Sequence, residues 1–317
     1  METFQNGLIN QHSKKTWINL SRFLFSPQTL IYETFNNFIM TEKEAEDLCR
    51  MIRVGVDLSK PKYNYRPKTS EELKDLIEEL IKKRGIKADL NDIDVSQITS
   101  MRYLFQGSKF NGDISEWDVS RVESMRSMFE SSQFNGDISK WNVSKVEDMA
   151  CMFANSEFNG DISEWDVSNV KMMSSIFFAS KFNGDISNWN VSRVVVMDGM
   201  FASSQFNGDI SKWDVSGVED MSWMFSGSQF NGDISNWNVS GVLKMSWMFS
   251  GSQFNGDISN WNVSGVLKMN WMFEDSQFNG DISNWNVSGV MKDNMYEMFH
   301  NSKFNGDISK WVNKPTR

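Results

Sequence analysis

One hexapeptide, Phe-Asn-Gly-Asp-Ile-Ser, occurs nine times in this 317-residue chain, first at Phe110–Ser115 and last at Phe304–Ser309. The first eight copies begin 24 residues apart, and only the last step is longer, by two residues near Lys292–Asn294. A fixed short period demands stacked supersecondary units, because each unit buries its apolar face only against its neighbours. Most of the chain therefore cannot form one globular core. The functional question moves from a catalytic cleft to a repeated surface.

Within one copy, the spacing of Ile114, Trp117 and Val119 matches the L-x-x-L-x-L strand segment of leucine-rich repeats. Val122, Met125, Met128 and Phe129 follow at i, i+3, i+6 and i+7, which predicts one face of a short helix. Ser120 with Glu123 reads as a capping box, repeated by Ser144 with Glu147 and Ser216 with Glu219. The Asn-Gly pair supplies turn chemistry before the next strand. The expected fold is thus an α/β repeat solenoid: a right-handed coil of strand–short-helix units with parallel strands. A degenerate copy from Asp89 to Phe105 brings the array to about ten coils. Each should advance by about 4.8 Å along a concave strand face. No proline lies between Pro67 and Pro315, as a ladder that needs every backbone N–H requires.

The pattern FNGDIS-x-W-[DN]-VS-x-V-x-x-M-x-x-MF resembles the repeats of the BspA-like leucine-rich-repeat surface proteins, with related mycoplasma lipoprotein repeats of unknown function. The resemblance runs over roughly residues 70 to 312, and the segment from Thr69 to Gly85 with the following ADLNDIDVS looks like the usual lead-in of that family. It implies a leucine-rich-repeat-like solenoid and, for some members, adhesion to host proteins at a cell surface.

The remainder of the chain divides by composition. Residues 1–59 read as a helical or partly disordered extension, with helices expected around Trp17–Phe25, Pro27–Ile39 and Glu42–Val54. Residues 60–68, with Pro61 and Pro67, read as a linker. Residues 69–85 form an amphipathic helix capped by Thr69 and Glu72 and ended by Gly85; its face of Leu73, Leu76, Ile77, Leu80 and Ile81 suits a cap over the first coil. Residues 86–312 are the solenoid and 313–317 a tail.

Stacking turns each repeat position into a column. Asp113 and its eight equivalents would repel one another, which predicts that each accepts backbone N–H bonds of its own turn; a row of calcium ions is disfavoured, since one carboxylate per coil is poor supply. Glu116, Lys140 and Glu164 place opposite charges on neighbouring coils. Further along, Asn236, Asn260 and Asn284 replace those charges beside Asn238, Asn262 and Asn286, leaving either hydrogen-bonded Asn ladders or a neutral face for sugar or peptide. A second aromatic column, Trp223, Trp247 and Trp271, lies two residues after core Met221, Met245 and Met269 and is expected to point outward. Leu243 and Leu267 belong to the same coils. Ser127, Cys151, Ser175 and Gly199 hold that position earlier, so the fold does not require tryptophan there.

No catalytic set is expected. His12 and His300 are the only histidines, serines lack a base, and no phosphate loop or zinc spacing occurs. Neither a cofactor nor a metal is called for. The net charge of −9 disfavours nucleic acid, and no apolar run reaches a membrane span. Neither a signal peptide nor a transmembrane segment is read, so the location stays open. These features predict a non-enzymatic recognition protein with a protein or glycan partner and weak self-association. The alternative is a structural, ice- or mineral-facing ladder with no discrete ligand.

Overall fold

The computed structural model describes residues 62–315. The helices expected in residues 1–59 fall outside the described residues. The chain divides into two units, Met1–Asn64 and Tyr65–Arg317, and the second holds the repeats.

That unit is a repeat solenoid. Its one α-helix among the described residues, α1 (Ser70–Arg84), begins where expected: Thr69 accepts the Glu72 N–H through its hydroxyl at 3.1 Å. The Glu72 carboxylate accepts from Lys68 N–H at 2.7 Å instead of closing the box on Thr69. Gly85, at φ 92°, ends the helix and returns its N–H to the Ile81 carbonyl. Leu73, Ile77 and Leu80 are buried against the first coil, with Leu76 and Ile81 half-buried beside them. Arg84 grips the same coil by a two-pronged contact with Asp92, 2.9 Å on each prong, and by the Asp89 carbonyl at 3.0 Å. Tyr65 already pairs with Ile93 as a parallel bridge, so the array begins inside the segment expected to be a linker.

Each coil is built differently from the expected strand and helix. Parallel bridges do run through the array, from Ser100 to Ser124 to Asp148 and on to Lys268, but they lie at the position expected to start the helix. No repeat helix forms among the described residues, apart from a 3-10 turn at Lys292–Met295 that absorbs the two-residue insertion. The segment instead folds as consecutive tight turns. Met128 N–H bonds to the Met125 carbonyl and Ser132 N–H to that of Phe129, both three residues back. The alternate N–H groups of Met125, Ser127, Phe129 and Ser131 reach the next coil, at Asp148, Ala150, Met152 and Ala154, over 2.7–2.9 Å. The apolar spacing fits either arrangement. The turns win because every other N–H then stitches coil to coil, whereas a helix would spend all of them internally.

On the opposite side, among the described residues, a backbone ladder joins only the first two coils, where Leu90 N–H bonds to the Asp113 carbonyl and Asp113 N–H to that of Ala88. Asn135 N–H bonds to the Asn111 side-chain oxygen, and the same link repeats through Asn159, Asn183 and Asn207 at 2.8–3.1 Å. The Asn of each Asn-Gly pair is therefore a spacer between coils, not chiefly a turn former. Its Gly is needed because a Cβ at Gly208 would sit 2.9 Å from the Phe206 ring. The buried tryptophans complete this side: Trp213 Nε1–H donates to the Ile186 carbonyl at 3.1 Å, and the whole column repeats the bond.

Equivalent rings one coil apart measure the local rise. It is 4.7 and 4.5 Å along Trp223, Trp247 and Trp271, 5.5–5.9 Å along the Phe105, Phe129, Phe153, Phe177 column, and 6.3–6.5 Å along the Trp117 column. The coils are wedges, narrowest at the backbone ladder, and the array curves towards it. This corrects the expectation that the Ile114–Val119 side is concave. Beyond the first coil, where Asp113 and Asp89 still pair as a parallel bridge, no backbone bond among the described residues joins the Ile114–Val119 segments of neighbouring coils, and side chains hold that side open.

Candidate recognition face

The inner face of the curve is formed by the turn segments, and one of its backbone positions is unusual. Tyr103, Ser127, Cys151, Ser175, Gly199, Trp223, Trp247, Trp271 and Glu297 all have φ between 48° and 61°. Each is the third residue of a turn such as Met221–Met224, whose ends are joined by a 3.2 Å hydrogen bond. A turn with positive φ at that residue favours Gly or Asn, which avoid the clash of Cβ with the backbone. The indoles project outward for this reason and not through helical phase.

Trp223 is 43% exposed, and Trp247 and Trp271 are half-buried. The three rings lie face to face, with interplanar angles of 6° and 10°. Tyr296 closes the far end edge-on at 5.2 Å, where Trp271 Nε1–H also donates to Glu297 at 3.3 Å. Leu243 and Leu267, in the same coils, are 37% and 51% exposed. The stack and the two leucines thus present an apolar patch on the concave side.

The asparagines lie on the wide, convex side and are brought together with one another but not with the tryptophans. Asn238, Asn262 and Asn286 do not ladder: each accepts the N–H of the Ser two residues on at 3.1–3.2 Å. Each side chain is turned back on its own loop, and in Asn238 and Asn262 the oxygen also accepts from the hydroxyl of that serine at 2.7 Å. Asn236 and Asn260 are exposed, and Asn284 accepts from Lys310 at 3.4 Å. A shallow depression of about 260 Å³ lies over Asn284, Asn286 and Lys310. Glu116, Lys140 and Glu164 form no ion pair among the described residues. Ion pairs gather instead on the ladder side, where Asp148 takes both Arg102 and Arg126 at 2.8 and 3.0 Å.

The Asp113 column is likewise turned inward on its own loops. Asp113 accepts the Ser115 N–H at 2.9 Å, and every later copy repeats this with its own serine. These bonds hold the carboxyls below the usual range, with repulsion from neighbouring copies a lesser, opposing influence. The donor is the Ser two residues on, not the Asn-Gly turn. Melting temperatures measured in calcium and in chelator should therefore coincide; a rise of several degrees with calcium would mean that the column holds metal.

The positive-φ columns and the asparagine ladder were not legible as such, although a signal for the first exists. Gly107, Gly227 and Gly251 share one repeat position with Ser131, Asn155 and Asp275, a mixture typical of left-handed backbone.

Among the described residues no helix is long and apolar enough to cross a membrane. No curated protein and no solved structure gives a significant match. A family model does match, in three overlapping segments at residues 74–181, 155–253 and 228–317. Together they run without a gap from residue 74, inside the capping helix, to residue 317. The chain therefore belongs to the family described as Mycoplasma protein of unknown function, DUF285.

Proposed function

We propose that the protein is a non-enzymatic recognition protein that binds a protein or glycan partner through the concave face of its array, with Trp223, Trp247 and Trp271 as anchors. One observation carries this reading: three large rings occupy a left-handed backbone position that Ser127, Ser175 and Gly199 fill in other coils. The left-handed backbone costs any non-glycine side chain about 1–2 kcal/mol, serine and tryptophan alike, and each stacked pair returns about 0.5–1.5 kcal/mol beyond the area it buries. Folding does not require the rings, since Ser127, Ser175 and Gly199 close the same turn without them. Clustered, partly exposed tryptophans are instead what binding hot spots are made of. The resemblance to BspA-like leucine-rich-repeat proteins, with its right-handed coil and its adhesion in some members, supports the same reading. The exposed Asn236, Asn260 and Asn284 amides would serve a second, polar contact on the convex side.

The full chain and its Trp223→Ser/Trp247→Ser/Trp271→Ser variant should be compared on one glycan array and one immobilised protein panel. Signals of the native chain should fall about tenfold or more in the variant. Equal signals would remove the stripe from recognition. A second reading, a structural ladder facing ice or mineral, draws on the exposed, evenly spaced Asp113 column. Thermal hysteresis in the native chain, with no array signal, would favour it.

A further inference from the structure

The repeat carries one reactive dipeptide nine times, from Asn111-Gly112 to Asn305-Gly306, each inside the same Phe-Asn-Gly-Asp-Ile-Ser hexapeptide. Asparagine before glycine is chemically labile. The glycine nitrogen attacks the asparagine side chain, and glycine has no Cβ to obstruct the approach. Local sequence makes the nine copies equivalent. The fold does not.

In the first eight copies the asparagine oxygen is held. Asn111 Oδ1 accepts the Asn135 N–H of the next coil, and the link repeats without a gap until Asn279 Oδ1 accepts the Asn305 N–H, all at 2.8–3.1 Å. Asn305 ends this series as a donor only: among the described residues no group donates to its side-chain oxygen. After Trp311 the repeat's Asn-Val-Ser gives way to Val312-Asn313-Lys314, and no described coil stacks beyond it. A second difference is independent of that bond. Gly306 is exposed where the other eight glycines are half-buried, and Phe304 is half-buried where its eight counterparts are fully buried.

We infer that Asn305-Gly306 is a self-modification site, the one copy of nine that the native fold leaves able to deamidate. The Gly306 backbone nitrogen attacks Asn305 Cγ and gives up its proton, a C–N bond forms, and Nδ2 leaves as ammonia. The five-membered imide then takes up water at either carbonyl and reopens to an aspartyl or an isoaspartyl residue at position 305. Water is the only co-reactant, and no electrons change hands. Attack needs Cγ brought over the next nitrogen, a near-attack geometry that a free side chain samples and a held one does not. In the other eight copies, reaching it breaks the Oδ1 bond and strips the next coil's N–H of its acceptor. The asparagine ladder therefore protects the array chemically as well as spacing its coils. At position 305 the change adds one negative charge, and the isoaspartyl form adds one atom to the backbone of that coil.

The test is a peptide map of the full chain, aged at neutral pH and body temperature with and without denaturant. A lysine or arginine lies between every two copies, so trypsin separates all nine for mass spectrometry. In the folded chain position 305 should deamidate about tenfold faster than each of the others, the rate effect of one lost hydrogen bond. In denaturant, where local sequence alone acts, all nine should agree within about twofold. Isoelectric focusing gives a separate readout: the native chain should gain one acidic band with age, and Asn305→Gln should not. Equal rates in the folded chain, or a faster site elsewhere, would overturn the inference. So would an excess at position 305 that persists in denaturant, since it would then come from local sequence. A graded rise through Asn255, Asn279 and Asn305 would assign the reactivity to fraying of the array end and would likewise overturn it.

Discussion

Trp213→Ala should cost about 3–5 kcal/mol, the usual penalty for truncating a buried aromatic side chain. The indole is 4% exposed, lies 6.2 Å from the Phe201 ring, and spends its N–H on the Ile186 carbonyl of the preceding coil. Its removal leaves a cavity and strips away one of the few polar links between coils on the wide side of the wedge. The loss should be local. Repeat arrays are held by nearest-neighbour interfaces, so amide exchange should quicken first in the coils around Ile186 and Trp237 and only later near Trp117 or Trp311. Uniform loss of protection along the array would mean that the coils fold as one unit.

Acid should have the other large effect, because one interaction is repeated in every coil. In the Asp113 column the Ser N–H bonds hold each carboxyl below its usual value. For Asp148 and Asp220 burial pushes upward, but bonds to backbone N–H groups and to Arg126, Arg102 or Lys244 prevail, and the net direction is again down. A carboxyl with a depressed folded-state value stabilises the fold fully above the unfolded value, near 3.9, and loses that contribution as pH falls through the folded value. The melting temperature should therefore stay nearly level from pH 7 to 5 and drop steeply below about pH 4. Replacing Asp161, Asp185 and Asp209 by Asn, which can accept the same serine N–H, should flatten that drop. An unchanged acid limb would place its origin elsewhere.

Repeat length, coil stacking, the capping helix and the inward Trp117 column were all legible because each depends on apolar spacing alone. The secondary structure within a coil was not. Val122, Met125, Met128 and Phe129 satisfy a helix face and a run of turns equally well, and the choice is made by hydrogen bonds to a neighbouring coil that a single repeat cannot show. The curvature was hidden for the same reason. It depends on which side of the coil is stitched by backbone and which is propped open by Asn111, Phe110 and Trp117 with their equivalents. The exposed tryptophan column was legible through contrast, since Trp223, Trp247 and Trp271 break the Ser, Cys and Gly usage of earlier coils. What sequence spacing concealed is that they sit on left-handed backbone, a conformation they share with Ser127, Cys151, Ser175 and Gly199.

The claim that these three rings serve recognition and not folding is tested most directly by the thermal stability of the triple serine variant beside Trp213→Ala. Serine already occupies this backbone position at Ser127 and Ser175 with φ of 53° and 55°, so the exchange adds no backbone strain and forfeits the stacking, the partial burial of Trp247 and Trp271, and the Trp271 contacts with Tyr296 and Glu297. Two stacked pairs are worth about 1–3 kcal/mol together. Removing the three exposed tryptophans should therefore cost less than truncating the single buried Trp213. A loss equal to or larger than that of Trp213→Ala would contradict the claim and make the stripe part of the core.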